Sequence, residues 1–294
     1  MIQIKKDILK KFYPKRKQNV HKYDFGHLLV IGGSKLYSGS PALAALAALK
    51  SGTDLVTVAA PERAANIIAG FTPDLITYPL EGKYFGKKHL PELLKLAKNK
   101  TAFVIGGGTE RQAETLKLIR KFIKETDLAG VVDADGIHAL SYRRHSRMSL
   151  SCKRHWSMSP TKKRNLIITP HLQEFYVLTG IKITDKSLAD KIKIVKKEAA
   201  RFKNVILLKG NQDIISDGKK VAINKTGNPF MTKGGTGDTL AGICGALLAQ
   251  GQDSFTAACA ASYINGKAGD IAAKKFKQSL LATDVIENIY KVFQ

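Results

Sequence analysis

Cysteine is scarce in this chain of 294 residues: there are three, Cys152, Cys244 and Cys259. They are widely spaced, no two lie at metal-ligand spacing, and their odd number excludes a simple disulfide framework. Long hydrophobic runs are also missing. The longest, around residues 240–249, is short and broken by glycine, which excludes a membrane-spanning helix. The first twelve residues alternate apolar side chains with lysine and offer no uninterrupted apolar stretch of the kind a secretory leader needs. A cytoplasmic protein is expected. The nucleotide-binding patterns G-x-G-x-x-G and G-x-x-x-x-G-K-[ST] are both absent, so neither a dinucleotide fingerprint nor a P-loop is supported.

Acidic residues are few as well. Forty-eight Lys and Arg against 24 Asp and Glu give a formal charge of +24, which raises nucleic acid as a partner. The distribution argues otherwise. Residues 1–22 carry a net +7 and residues 141–165 a net +8, leaving +9 for everything else. Neither segment shows an apolar face. The first reads as a basic arm over residues 1–20. The second, rich in serine and without helix or strand period, reads as an exposed insertion dispensable for chemistry. His145, Cys152 and His155 within it match no standard metal pattern, and Trp156 among cations suits a solvated loop better than RNA.

What the chain does have is glycine in one telling place. Residues 227–242 read G-N-P-F-M-T-K-G-G-T-G-D-T-L-A-G, with Gly234, Gly235, Thr236, Gly237 and Asp238 at the centre. A bare turn feeding an apolar helix leaves the helix's first N–H groups without acceptors, at the positive end of its dipole. That arrangement seats a phosphate. A carboxylate beside such a seat would repel the anion unless it serves another partner, and a hydroxyl about to be phosphorylated is one: Asp238 can orient it and take its proton. The competing reading is that Asp238 only caps the helix.

The rest of the chain alternates short apolar strands with helical stretches. Strands are expected at 27–31, 55–59, 75–78, 102–105, 130–132, 166–168 and 205–208, and helices at 42–50, 62–70, 90–98, 112–124, 187–202, 255–275 and 282–292. Asp217-Gly218 marks a hairpin between the apolar pairs on either side. This is an α/β pattern, a mainly parallel sheet with helices on both faces. Strand ends carry the notable residues: Gly32-Gly33 and the loop to Ser40, Gly106-Gly107-Gly108, Asp133 and Asp135, Thr169-Pro170-His171 ahead of Glu174, and Lys209-Gly210-Asn211-Gln212-Asp213. Open α/β sheets bind ligands at such ends. Asp133 and Asp135 read equally as solvated turn carboxylates or as groups ordering magnesium or substrate. Lys209 and Gly210 suit a nucleotide's phosphate or its adenosine edge.

Together these stretches resemble the NAD(P)H-hydrate dehydratases of the ribokinase-like superfamily, over residues 21–294. The resemblance rests on V-I-G-G-S-K-L-Y-S-G-S-P-A-L-A-A-L-A-A-L-K-S-G at 30–52, D-A-D-G-I-H-A-L at 133–140, T-P-H-L-Q-E-F at 169–175, L-K-G at 208–210 and the glycine stretch at 227–242. It implies a single ribokinase-like domain and a repair lyase. Such an enzyme dehydrates NADHX and NADPHX with ADP or ATP and Mg2+, by phosphorylating the ring hydroxyl and eliminating phosphate. By the same resemblance Asp238 acts on the hydroxyl, and Gly234, Gly235, Thr236 and Gly237 hold the phosphate. Ser40, Gly108 and His171 touch the hydrated dinucleotide, and Lys209, Gly210, Asn211, Gln212 and Asp213 touch the adenine nucleotide. It also implies a homo-oligomer, a tetramer or another assembly, and a separate epimerase acting on the same substrate. Metal ligands are not assigned.

Two departures stand out. The family's usual G-P-G-x-G is Gly106-Gly107-Gly108-Thr109-Glu110 here, and its T-P-H-x-G-E has Gln173 in place of glycine. The alternative within the same fold is a kinase of a small hydroxymethyl compound, of the thiazole or pyridoxal kinase type, which shares the glycine-Asp turn and keeps its phosphorylated product. The T-P-H-x-x-E stretch speaks against it.

Overall fold

The computed structural model describes residues 1–11, 13, 18–141 and 165–294. Most of the basic segment, with Cys152, His145, His155 and Trp156, lies outside the described residues. In chain order the strands are β1 (Ile2–Gln3), β2 (His27–Ile31), β3 (Leu55–Pro61), β4 (Ile76–Leu80), β5 (Ala102–Ile105), β6 (Ala129–Val132), β7 (Leu166–Ile168), β8 (Val205–Leu208), β9 (Asp213–Ser216) and β10 (Val221–Asn224). The α-helices are α1 (Gly39–Lys50), α2 (Glu62–Ala69), α3 (Leu90–Ala97), α4 (Ala113–Glu125), α5 (Asp135–Leu140), α6 (Leu172–Thr179), α7 (Leu188–Phe202), α8 (Thr236–Ala249), α9 (Ser254–Phe276) and α10 (Ala282–Asn288).

All ten strands join one sheet, in the order β1-β10-β9-β8-β7-β6-β5-β2-β3-β4. The seven strands from β8 to β4 in that order run parallel, and β9 and β10 form the expected antiparallel hairpin. Strand residues alternate between faces, as a pleat of period two requires. Leu28, Val30, Val56, Val58 and Val104 pack on one face against α1, α2 and α8–α10. Leu29, Ile31, Phe103, Ile105 and Val132 pack on the other against α3–α5, a layer that α6 and α7 continue over β8–β10. Burial on both faces is why these strands read as unbroken apolar runs.

The order reverses between β2 and β5. From β2 the chain walks outward through β3 and β4, then returns to β2's other side and walks away through β6, β7 and β8. The strand ends at this reversal are Gly32-Gly33 and Gly106-Gly107-Gly108. They lie so close that Gly33 N–H donates to Gly107 O at 2.9 Å and a Cβ on Gly32 would meet the same oxygen at 2.6 Å.

Two expectations change. The N-terminal arm does have core character: β1 adds to the sheet edge beside β10, Ile4 and Leu9 are 7 % and 6 % exposed, and the Tyr13 hydroxyl donates to Ser51 O at 3.1 Å. Lysines flanking single apolar residues hid a segment too short to show a period. Helix α1 begins at Gly39, three residues earlier than expected, which places Ser40 in its first turn rather than in the preceding loop.

Candidate active site

Gly33, Ser40, Gly107, Asp133, His171, Lys209 and Asp238 gather at one edge of the sheet, linked by direct contacts. The central link is between helix starts: Ser40 Oγ donates to Asp238 Oδ1. Helices α1 and α8 can approach so closely because Gly242 presents no side chain to Ala44; a Cβ there would lie 2.0 Å from Ala44 O. Gly107 is the floor under the pair, since a Cβ on it would stand 2.3 Å from Ser40 Oγ and 3.1 Å from Asp238 Oδ1.

The start of α8 leaves its first amides without acceptors in the helix. Gly235 takes the left-handed φ of +98°, where a Cβ would also strike Leu43 and Ala282. The first intrahelical bond runs from Thr239 N–H to Gly235 O at 3.0 Å, so the amides before it have no acceptor within the helix. The Thr236 hydroxyl donates to Met231 O and Lys233 O, closing the turn. Asp238 does not cap the helix: the N-cap is Gly235, with no side-chain cap bond, and the Asp238 carboxylate faces Ser40.

Behind it stands a row of three charges, Asp133 after β6, Glu174 after β7 and Lys209 after β8. Asp133 follows β6, is 3 % exposed, and accepts from Thr169 Oγ1 at 2.7 Å and Lys209 Nζ at 2.9 Å through the same oxygen, Oδ1. Lys209 Nζ also lies 3.7 Å from Glu174 Oε2 and 3.3 Å from where a Cβ of Gly237 would be. Asp133 is thus no solvated turn carboxylate. Asp135 is separate from it, accepting from Glu110 N–H and Arg111 Nε. Burial and the Asp133 charge push the Asp238 carboxyl up to about 6, against the opposing pull of Ser40's hydrogen bond and Lys209. Burial works to lower Lys209, but Asp133, Glu174 and Asp238 outweigh it and hold its ammonium above the ordinary lysine range.

His171 is the N-cap of α6. Its Nδ1 accepts from the amides of Gln173 and Glu174 at 3.1 and 3.3 Å, while Glu174 Oε2 accepts from His171 N–H at 2.9 Å. The neutral imidazole therefore carries its proton on Nε2, 3.4 Å from Glu174 Oε1. Gln173 takes part only through its backbone, so its replacement of the family's glycine leaves this box intact. Gly108 keeps a φ of +66° against Tyr37. Glu110, at the other departure, holds a left-handed φ of 59° that glycine would adopt without strain; Asp135 accepts its N–H and its carboxylate accepts from Ser34.

Residues 209–213 shape a groove of about 300 Å3, walled by Leu172, Leu188, Leu208 and Ile214, with Lys191, Lys209, Asn211 and Gln212 at its polar edge. Its dimensions and apolar walls suit a flat base. Asp213 belongs to the frame of this loop: Oδ1 accepts from Gly210 N–H and Oδ2 from the Ser262 hydroxyl. Gly234 is exposed, and a side chain there would point into open space.

Helix α9 supplies residues that sequence reading passed over. Asn265 is buried and donates to Thr236 O while accepting from the Thr239 hydroxyl at 2.6 Å. Asp270 accepts from Gly227 N–H and Asn228 Nδ2. The signal was present: an Asn and an Asp stand beside Gly266 and Gly269 in an alanine-rich helix, where a buried polar side chain needs a partner.

A family model described as NAD(P)H-hydrate dehydratase matches residues 28–291. The chain belongs to the NAD(P)H-hydrate dehydratase family. It is 39% identical over 283 residues to a bifunctional NAD(P)H-hydrate repair enzyme Nnr of Pyrobaculum aerophilum, matching 95% of this chain and 52% of that protein. The chain thus spans about half the length of the bifunctional relatives it matches. It is 32% identical over 289 residues to an ADP-dependent (S)-NAD(P)H-hydrate dehydratase of Nitrosopumilus maritimus, across 98% of this chain and 95% of that one. In structure it is similar to the ADP/ATP-dependent NAD(P)H-hydrate dehydratase of Bacillus subtilis co-crystallised with ATP and Mg2+, with a TM-score of 0.80, 25% identity, and 99% and 98% of the two chains covered. A hydroxyethylthiazole kinase of Pyrococcus horikoshii shares the fold alone, at a TM-score of 0.60 and 14% identity, over 97% of this chain and 92% of that one. The dehydratase reading is favoured over the small-molecule kinase.

Proposed function

We propose that this chain dehydrates the hydrated nicotinamide ring of NADHX and NADPHX at the expense of ADP or ATP. The observation that carries the reading is Asp238: a carboxylate pushed up to about 6, aimed by Ser40, in the first turn of a helix whose free amides face the same space. A base with that affinity is ionised at neutral pH yet takes a proton readily. Asp238 removes the proton of the ring hydroxyl as the hydroxyl oxygen bonds to the nucleotide's terminal phosphorus, whose anhydride P–O bond breaks with its electron pair leaving on AMP or ADP. The α8 amides and Lys209 balance the charge on the phosphoryl oxygens. The ring C–O bond then breaks with its electron pair going to the departing phosphate, and the neighbouring ring carbon gives up a proton to restore the double bond. Ser40, Gly108 and His171 hold the dinucleotide in this reading. Lys209, Gly210, Asn211 and Gln212 hold the nucleotide, with Asp213 bracing their loop.

Among the described residues no three His, Cys, Asp or Glu side chains converge to hold a metal. The acids of the site are engaged by Lys209, Thr169 and Ser40. The described residues form no cage for Mg2+, and the ion would fit this site as a companion of the nucleotide's phosphates. Among the described residues no helix is long and apolar enough to cross a membrane. A cytoplasmic location, a homo-oligomeric assembly and a separate epimerase supplying the reactive epimer belong to the same proposal.

The test is incubation of the purified protein with NADHX and either ADP or ATP. The expected result is nucleotide-dependent growth of NADH absorbance with one inorganic phosphate released per NADH. Accumulation of a stable phosphorylated product would point to the kinase chemistry of the fold instead.

A further inference from the structure

The polar and charged groups that act on Asp238 come from four neighbouring elements. Helix α1 offers Ser40, the β6–α5 connection Asp133, the turn before β9 Lys209, and α6 Glu174. Ser40, Lys209 and Glu174 keep some exposure. Asp133 keeps almost none: it is 3 % exposed and meets Asp238 across a void of about 10 Å3 that it shares with Ser40, Gly32 and Gly107. Two donors fix its carboxylate, and one is the ammonium that stands under Gly237.

We propose that Asp133 is a positioning residue for the reaction: it anchors the Lys209 ammonium beneath the first turn of α8 and keeps a fixed negative charge behind Asp238. This rests on the reading of Asp238 as the base. Both effects act on the base. A like charge close by disfavours ionisation of Asp238 and so makes its carboxylate hungrier for a proton. A cation held at Asp133 is drawn away from Asp238 and does so less strongly in the opposite sense. Of the two, Asp133 weighs more on Asp238 than Lys209 does. A buried aspartate kept only for stability would need a donor, but it would not need to line the same void as the Asp238 carboxylate.

The experiment is a carboxyl 13C NMR titration of the full-length protein, with the Asp238 resonance assigned by its loss in Asp238→Asn, alongside the pH profile of kcat/KM for NADHX. In Asp133→Asn the Asp238 midpoint should fall by roughly one pH unit or more, because a repelling charge is lost and Lys209 is released toward Asp238. The acid limb of the rate should move down with it, and the plateau should fall because the base is weaker. Asp133→Asn leaves Lys209 buried without its carboxylate, so the double variant Asp133→Asn/Lys209→Met, which removes both charges, is measured in parallel. Its midpoint should lie between that of Asp133→Asn and the wild type. An Asp238 midpoint unchanged in both, whatever happens to Tm, overturns the proposal and leaves Asp133 as a structural partner of Thr169 and Lys209. A wild type inert toward NADHX would instead count against the functional reading, and the NMR midpoints would still decide the role of Asp133.

Discussion

Ser40 and Asp238, 198 residues apart in the chain, share a hydrogen bond between the first turns of α1 and α8. The bond exists because Gly242 lets the two helices touch backbone to backbone and because Gly107 leaves room beneath it. It places a carboxylate, a hydroxyl and a helix's free amides around one small space, and the chemistry proposed here needs those three together.

Asp238→Asn should cost roughly a hundred- to ten-thousand-fold in NADHX-dependent phosphate release while nucleotide affinity stays near that of the wild type. Its effect on stability should run the other way. The folded-state affinity of Asp238 for protons, about 6, exceeds its ordinary value of 3.8. Ionisation is therefore unfavourable in the folded state, and wild-type stability falls as pH rises through that interval. Asparagine escapes this, so the variant's stability should match the wild type's near pH 4 and exceed it above pH 6, by an amount on the order of 1–3 kcal/mol, with a correspondingly higher Tm. A lowered Tm with near-normal turnover would mean that Asp238 is structural.

Ser40→Ala removes a donor that favours the ionised form of Asp238. The acid limb of kcat/KM, expected near pH 6 in the wild type, should move to higher pH. The deficit of the variant should therefore be larger at pH 6 than at pH 8. Because Ser40 is also placed against the dinucleotide, a pH-independent rise in KM is expected on top. A deficit of constant size across that range would show that the hydroxyl serves binding alone.

Gly107→Ala tests the floor of the site. The added methyl meets Ser40 Oγ at 2.3 Å, so the hydroxyl has to swing away or the β5 loop has to lift. Overpacking of this kind costs about 1–3 kcal/mol. The rate should drop by more than tenfold, since the displaced group is the one that aims the base. Circular dichroism would report an intact fold, and turnover within twofold of the wild type would refute the proposed geometry.

The parallel strands were legible because burial on both faces writes them as plain apolar runs, and the β9–β10 hairpin because Asp217-Gly218 announces its turn. The turn and helix start at the glycine-Asp stretch were legible because bare positions ahead of an apolar run mark a tight turn into a buried helix. The partners of these residues were not. Asp133, Thr169 and Lys209 were each visible at a strand end, yet their bonds follow from β6, β7 and β8 lying side by side, which is a fact of strand order rather than of any one motif. Ile4 and Leu9 were obscured by their lysine neighbours. Asn265 was lost inside a helix whose alanines suggested only packing.

That overlooked asparagine gives a further expectation. Asn265 accepts from the Thr239 hydroxyl and donates to Thr236 O, so it grips both sides of the α8 first turn from within the core. Asn265→Ala removes both bonds and leaves the Thr239 hydroxyl only its bond to Thr236 O, a loss of about 0.5–1.5 kcal/mol per bond. The turn it grips carries Gly237 and Asp238, and loosening it should lower kcat while leaving the KM for nucleotide nearly unchanged, because the groove at residues 209–212 is braced separately by Asp213. Steady-state kinetics with nucleotide and NADHX varied in turn would separate the two. A variant that loses stability but keeps kcat would show that the first turn of α8 holds its geometry without Asn265, and that the helix start is positioned by Gly235 and Thr236 alone.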